Sequence, residues 1–116
     1  MKLLQVDEAL AARHYAEHVD RPFFRGLVDF ITSSPAVAMG WDAENAVTLA
    51  RQTMGETDPS KSPPGTIRGD LGINIGRNLV HGSDSSESAR REIGLFFQPQ
   101  EVLAYERNLD PWITES

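Results

Sequence analysis

The segment formed by residues 55–69 constrains the fold of this chain most strongly, because it has neither helical nor strand periodicity. It is dense in proline, glycine and serine, which favour turns. If this segment were a linker, it would divide the 116 residues into two parts. Neither part is large enough to form a stable hydrophobic core alone. We therefore predict one domain, residues 1–116, in which this segment is an ordered functional loop.

Short apolar runs of strand length alternate with helical periodicity on both sides of this loop. We expect strands over residues 2–6, over residues 35–41 and around Val80, and helices over residues 8–15, 21–32, 43–54 and 85–97, with a last short helix from Pro99. Asp7 and Asp84 are the predicted N-caps of the first and fourth helices, and an acidic residue is expected to cap the third. The alternation predicts an α+β sandwich.

Two groups of apolar residues are assigned to buried positions. Most of the apolar residues at helical spacing in the second helix are predicted to be core: Phe23, Phe24, Leu27, Val28, Phe30 and Ile31. Trp112 lies in the tail formed by residues 110–116. We expect it to dock on the domain or on a neighbouring subunit, because an indole contributes a large apolar area.

Charge and composition exclude several classes of function. A formal net charge of -6 argues against general nucleic-acid binding, so any phosphate site must be local. The absence of cysteine excludes disulfides and thiolate metal sites. No apolar run approaches the roughly 18 residues of a membrane span, and the N-terminus becomes acidic too early for a signal peptide. We expect a soluble cytoplasmic protein with no membrane partner and no specific nucleic-acid partner.

The best candidate for chemistry is His81, in the segment Asn-Leu-Val-His-Gly-Ser-Asp-Ser of residues 78–85. It stands between a short apolar run and a helix start, where backbone N–H groups and the helix dipole attract anions. Glycines and two arginines, Arg68 and Arg77, precede it. Glycine lets the backbone approach a ligand closely, and arginine matches phosphate oxygens. The alternative is a hydrogen-bonded structural histidine.

A series of short motifs extends along the chain in a fixed order. They are His-Tyr at 14–15, Arg-Pro-Phe-Phe at 21–24, Gly-Leu-Val at 26–28, Met-Gly-Glu-Thr-Asp-Pro at 54–59, Pro-Gly-Thr-Ile-Arg-Gly-Asp at 64–70, Gly-Arg-Asn at 76–78 and His-Gly-Ser-Asp-Ser at 81–85. In this order they resemble the nucleoside diphosphate kinase family. The resemblance implies a ferredoxin-like sandwich, with an antiparallel sheet and helices packed on it.

The resemblance also implies an activity, a cofactor and partners. The expected reaction is ping-pong transfer of the γ-phosphate from ATP or another nucleoside triphosphate to a nucleoside diphosphate through a phosphohistidine. The expected cofactor is Mg²⁺. The expected assembly is a homo-oligomer, either a hexamer or a tetramer.

Individual roles follow from the resemblance at matching positions. His81 is the implied nucleophile and attacks through Nδ1, Glu92 bonds the other ring nitrogen, and Ser83 contacts the transferring phosphoryl group. The implied nucleotide-binding residues are Arg51, Thr57 and Arg68 at the phosphates, Asn78 at the sugar hydroxyl, Phe23 and Ile75 at the base with Leu27 close by, and Tyr15. No protein residue is assigned as a metal ligand.

These residues also have plainer interpretations. Phe23 could be a core residue, and Glu92 could be a solvated helix residue. Arg51 and Arg68 could be partners in surface ion pairs, which contribute little to stability.

A pair of histidines offers a metal site instead. His14 and His18 are four residues apart on a predicted helix and therefore share a face. A metal site needs at least a third ligand, and the sequence indicates none.

One part of the family pattern has no counterpart in this sequence. The family's first strand and first helix precede the segment that begins here at Lys2, and that strand carries a Lys-Pro-Asp motif whose lysine contacts the phosphates. We expect an N-terminally truncated sandwich with unpaired strand edges. A start codon assigned too far downstream, a deliberate shortening and a natural short form all explain this. The alternative function is a catalytically weak or silent subunit that binds nucleotide or assembles with full-length subunits.

Overall fold

The computed structural model describes residues 1–115 and contains, among them, two β-strands and six α-helices. The elements are β1 (Lys2–Leu4), β2 (Ala36–Ala38), α1 (Glu8–His14), α2 (Phe24–Ile31), α3 (Ala46–Met54), α4 (Ile67–Leu71), α5 (Ser86–Phe96) and α6 (Asp110–Ile113). Short 3-10 helices occupy Ala16–His18, Pro59–Lys61, Ile75–Arg77 and Pro99–Glu101. The predicted α+β class is confirmed. None of the helices in this part of the chain is long and apolar enough to cross a membrane.

β1 and β2 form an antiparallel ribbon in which Leu3 lies opposite Val37. Both of these side chains are on the exposed face, and the flanking strand residues are half-buried on the other. The strands are shorter than predicted. β1 ends before Gln5, whose side chain donates a hydrogen bond to the Thr32 carbonyl at 2.8 Å, and Val6 then enters the core.

The core forms around α1. This helix begins where Asp7, in extended backbone, accepts a hydrogen bond from the Leu10 amide at 2.7 Å, as the sequence predicts. The buried residues of this cluster are Val6, Ala11 and Val28, with Leu4, Leu10, Phe24, Ile31 and Phe96 packed around them. α1 packs against both α2 and α5. This packing holds the last residue of α1, His14, against the helix that carries Glu92.

The segment predicted as an ordered loop is fixed by caps within it. Asp58 accepts a hydrogen bond from the Ser60 amide at 3.0 Å, and Thr66 begins α4 by accepting one from the Gly69 amide at 3.0 Å. α4 then packs against α3 and against the preceding 3-10 helix. Gly69 has no room for a side chain, because a Cβ atom would collide with the Pro63 carbonyl oxygen.

Two predictions about residues 78–85 are wrong. Val80 lies in no strand: Leu79 has a φ of 73°, in the left-handed region, and nearby carbonyl oxygens accept hydrogen bonds from arginine side chains instead of a neighbouring strand. The N-cap of α5 is Ser85 and not Asp84. The backbone of Ser85 is extended, and its hydroxyl oxygen accepts a hydrogen bond from the Ser88 amide at 3.0 Å.

Three further predictions need correction. α3 follows Asn45, which has a φ of 57° and makes no side-chain cap bond, so the predicted acidic cap is wrong. Phe23 and Phe30 are exposed, so the predicted apolar face of α2 is only partly core. Trp112 is 84% exposed and does not dock on the described part of this chain. Docking on a neighbouring subunit stays a prediction, and residue 116 of the predicted tail lies outside the described residues.

Replacing Gly69 tests how tightly the loop is packed. Gly69→Ala is expected to lower the free energy of unfolding by about 1–3 kcal/mol, because the new Cβ atom overlaps backbone. Gly94→Ala is the matched control, since Gly94 also lies in a helix but has open space around its Cβ position. It is expected to raise the free energy of unfolding by up to about 1 kcal/mol. Urea unfolding measures both, and equal effects would contradict a tightly packed loop.

Candidate active site

A cleft of about 270 Å³ is lined by residues of α1, α3, α4 and α5 and of the loops between them. The predicted site residues in its lining are Tyr15, Arg51, Thr57, Arg68, His81 and Glu92. These residues are far apart in the sequence, and folding brings them to one place. Three arginines, Arg51, Arg68 and Arg91, line the cleft in a chain whose net charge is -6, and three carboxylates balance their charge.

Glu92 holds His81 and Ser83 beside this cleft. Its Oε1 lies 2.7 Å from His81 Nε2, and its Oε2 accepts a hydrogen bond from Ser83 Oγ. The side chain of Glu92 is only 11% exposed, whereas that of His81 is 54% exposed. The carboxylate is therefore fixed inside the protein while the imidazole reaches the cleft. Glu92 is not the solvated helix residue of the plainer interpretation.

The charge of Glu92 determines the tautomer of His81. Burial on its own raises the pKa of Glu92, but the hydrogen bond from Ser83 and the charge and hydrogen bond of His81 outweigh burial and lower the pKa below its ordinary value. An ionised carboxylate can only accept hydrogen bonds, so His81 Nε2 must carry the proton. In the neutral imidazole, Nδ1 then has a free lone pair, which is what a nucleophilic histidine needs.

Arg68 fixes the backbone that precedes His81. It is 5% exposed, and its guanidinium donates hydrogen bonds to three carbonyl oxygens. These belong to Asn78 at 3.1 Å, Val80 at 2.5 Å and Gly55 at 3.4 Å. Burial, and then repulsion from Arg51, lowers the pKa of Arg68. Arg68 therefore joins the long loop to the segment that carries the histidine.

Arg51 fixes the backbone that follows His81. Its guanidinium donates a hydrogen bond to the Gly82 carbonyl oxygen at 2.9 Å. Neither Arg51 nor Arg68 forms an ion pair within residues 1–115, so the interpretation as surface ion-pair partners is not supported. Both side chains line the cleft next to the histidine. They can therefore contribute positive charge to it while holding the loop.

His14 is a neighbour of His81 that sequence reasoning missed. Its ring packs edge-on against the ring of His81, with centroids 4.6 Å apart, and against that of Phe96 at 5.2 Å. Its Nδ1 lies 3.6 Å from Glu92 Oε1. The sequence paired His14 with His18, but the structure groups it with His81 and Glu92. The contact joins the end of α1 to a loop far along the chain, and no local pattern contains that signal.

The other predicted nucleotide contacts lie outside the lining of the cleft. Asn78 donates a hydrogen bond through Nδ2 to the Thr57 carbonyl oxygen at 3.1 Å. Phe23 and Ile75 are 53% and 60% exposed, and Leu27 is half-buried in α2. Because Phe23 is exposed, the interpretation of Phe23 as a core residue is wrong. None of these four residues lines the cleft that contains His81.

Sequence comparisons relate this chain to known proteins. The family model for nucleoside diphosphate kinase matches residues 1–102. The nucleoside diphosphate kinases of Gloeobacter violaceus and Carboxydothermus hydrogenoformans are similar to it, at 59% and 56% identity over 115 residues. In both cases the match covers 99% of this chain and 77% of the relative.

Solved structures of the same family are similar in fold. The halophilic nucleoside diphosphate kinase from Halobacterium salinarum, in complex with CDP, superposes with a TM-score of 0.94 at 49% identity, over 98% of this chain and 76% of that one. A nucleoside diphosphate kinase family protein from Babesia bovis gives a TM-score of 0.93 at 41% identity, over 97% and 76%. These superpositions confirm the predicted α+β, ferredoxin-like fold.

The buried guanidinium of Arg68 predicts a large effect of a conservative substitution. Arg68→Lys is expected to lower the free energy of unfolding by about 2 kcal/mol or more, because one ammonium cannot reach three separate carbonyl oxygens and leaves buried acceptors unpaired. Arg90→Lys, at an exposed position of α5, is the matched control and is expected to change it by less than about 0.5 kcal/mol. Urea unfolding measures both. A neutral Arg68→Lys would show that these hydrogen bonds do not hold the loop.

The buried position of His14 predicts a loss of stability in acid. Burial first, then repulsion from His81 and, more weakly, Arg91, lowers the pKa of His14 from 6.5 to about 4, against the attraction of Glu92. The unfolded chain binds a proton as the pH falls through 6.5, but the folded chain does not until about 4, so the free energy of unfolding decreases across this interval. His14→Gln is expected to reduce this decrease in urea unfolding at a series of pH values. An unchanged pH dependence would contradict a neutral, buried His14.

Proposed function

Because this chain belongs to the nucleoside diphosphate kinase family of phosphotransferases, we propose that His81 carries the phosphoryl group between two nucleotide substrates. The observation that carries this proposal is the 2.7 Å contact between His81 Nε2 and Glu92 Oε1. It places the proton on Nε2 and leaves the Nδ1 lone pair free. The imidazole is then ready to react without losing a proton first.

Two displacement steps complete the reaction. In the first, the Nδ1 lone pair attacks the γ-phosphorus of a nucleoside triphosphate, an N–P bond forms, and the bond to the β,γ-bridging oxygen breaks, releasing the nucleoside diphosphate. In the second, a terminal oxygen of another diphosphate attacks the same phosphorus and the N–P bond breaks. Glu92 offsets the positive charge that the ring acquires while it carries the phosphoryl group.

The cleft supports phosphate binding at the nucleophile. We assign Arg51, Thr57, Arg68 and Tyr15 to the phosphates, since all four line the cleft that contains His81. A guanidinium has five N–H donors, so Arg68 keeps donors in addition to the three that bind carbonyl groups. Ser83, already bonded to Glu92, is assigned to the transferring phosphoryl group.

The nucleoside is assigned to residues at a distance from the nucleophile. The Halobacterium salinarum relative was solved in complex with CDP, which supports a nucleotide site in this fold. Asn78 uses its Nδ2 on the Thr57 carbonyl, so its Oδ1 is available to a sugar hydroxyl. Phe23 and Ile75 expose apolar surface that can contact the flat faces of a base, with Leu27 close by. Contact with ring faces tolerates different bases.

Mg²⁺ is the cofactor of the family, and we propose that it enters with the nucleotide. The buried carboxylate of the cleft, Glu92, has both oxygens engaged by His81 and Ser83. The cleft's other carboxylates, Glu17 and Asp84, are exposed. This donor set fits an ion held by phosphate oxygens and water, which is the usual binding mode of Mg²⁺. When bound, the ion would neutralise charge on the phosphate oxygens.

Members of the family form oligomers, and we propose a homo-oligomer, a hexamer or a tetramer, for this chain. Large apolar side chains near the C-terminus support it: Leu103, Tyr105, Leu109 and Trp112 are all mostly exposed. Tyr105, Leu109 and Ile113 line one groove, and contiguous exposed apolar surface marks interaction sites. Cytoplasmic location and the absence of a specific nucleic-acid partner stay predictions from the sequence.

Removing the nucleophile tests the assignment of His81. His81→Ala is expected to lower phosphoryl transfer by at least about a thousandfold, because it removes the imidazole whose Nε2 is held by Glu92, while nucleotide binding persists. The measurement incubates protein with Mg²⁺ and γ-labelled ATP, follows acid-labile label on the chain, and then follows its transfer to GDP.

His18→Ala is the matched control, since His18 lines the same cleft but makes no contact with Glu92 among the residues described. It is expected to keep the label. Transfer by His81→Ala at the wild-type rate would contradict the proposal. A folded wild-type chain that takes up no label would favour the alternative of a catalytically silent subunit.

A further inference from the structure

We propose that His14, His81 and Glu92 form a Zn²⁺ site whose occupation stops phosphoryl transfer. One ligand atom from each residue lies within 4.8 Å of the other two. Glu92 Oε1 is 2.7 Å from His81 Nε2 and 3.6 Å from His14 Nδ1, so one carboxylate oxygen already faces both imidazoles. Ligand atoms around a tetrahedral zinc ion are about 3.3 Å apart, so adjustments of the side chains are enough to admit the ion.

The state of His14 Nδ1 is an independent indication of a ligand. The His14 side chain is 3% exposed, and within residues 1–115 its Nδ1 has no hydrogen-bond partner. Buried polar atoms are almost always hydrogen-bonded, and an exception requires an explanation such as an absent ion. This nitrogen points toward the carboxylate that also holds His81. A metal ion among the three groups would satisfy it.

The donor set selects the class of metal. Two imidazole nitrogens and one carboxylate oxygen are a typical protein ligand set for a zinc ion that keeps an open fourth position. Mg²⁺ prefers oxygen ligands and retains water, so the ion that accompanies the nucleotide does not suit this set. The His81 side chain is 54% exposed and lines the cleft, which gives an ion a path to the site and leaves the fourth position open to water or phosphate.

Zinc binding and nucleophilic attack exclude each other through the His81 tautomer. Zinc would bind the lone pair of Nε2, so the single N–H proton of the neutral imidazole would have to move from Nε2 to Nδ1 by exchange with water. The Nδ1 lone pair that attacks phosphorus is thereby lost. The inhibition rests on the proposed role of His81, whereas the binding site rests only on the three side chains.

Titration of the full chain with ZnCl₂ in buffer with excess Mg²⁺ tests the site, with heat as the signal. We expect one zinc ion per chain, and His14→Gln is expected to bind it at least about tenfold more weakly. His18→Gln is the matched control, because His18 lines the same cleft but is not in the group. It is expected to keep the wild-type affinity. Wild-type protein with no such site, or equal affinity in His14→Gln, would overturn the proposal.

Two further measurements keep the test independent of folding and of catalysis. In wild-type protein with ¹⁵N-labelled histidine, zinc should shift His14 Nδ1 and His81 Nε2, and unshifted nitrogens would overturn the site even if His14→Gln did not fold. Zinc should also suppress labelling by γ-labelled ATP, with recovery on adding a zinc-selective chelator. Bound zinc that leaves labelling of His81 unchanged would overturn the inhibition. Failure of the proposed function differs from both, since zinc-free protein would then carry no phosphate on His81.

Discussion

The carboxylate of Glu92 is buried in α5 and accepts hydrogen bonds from His81 and Ser83, and the chemistry of the cleft depends on this arrangement. Burial alone favours the protonated form of a carboxyl group, which could donate a proton to either partner. The two hydrogen bonds keep Glu92 ionised, and an ionised acceptor permits one neutral tautomer of His81. The reactive nitrogen is therefore selected before substrate arrives, by the contact between His81 and a residue of α5 eleven positions further along the chain.

The backbone around His81 depends on a second constraint, the guanidinium of Arg68. The segment from Asn78 to Gly82 joins no strand, so its carbonyl groups need donors from elsewhere. Arg68 and Arg51 supply them and remain beside the cleft. The same two side chains thus hold the histidine loop and place two guanidinium groups in the lining of the cleft. Arg51 and Arg68 therefore stabilise the loop and are also positioned to attract phosphate.

Features that depend on sequence neighbours could be predicted, and features that depend on long-range contacts could not. The Asp7 cap and the ordered loop follow from local chemistry, and the ordered motifs indicated the family and the importance of His81. The strand around Val80 was wrong, because two aliphatic residues suggest a strand while the actual partner of this backbone is Arg68, twelve positions away. The contact between His14 and His81 joins separate elements, so no periodicity reveals it.

Whatever occupies His81 Nε2 determines what Nδ1 can do. A proton there, held by Glu92, makes Nδ1 a nucleophile, and a metal ion there would remove its lone pair. The most direct test of this central claim is NMR of the phosphorylated chain with ¹⁵N-labelled histidine, which identifies the nitrogen that carries phosphorus. The structure predicts an N–P bond at Nδ1 of His81, with Nε2 still protonated. Phosphate on Nε2, or on another residue, would contradict it.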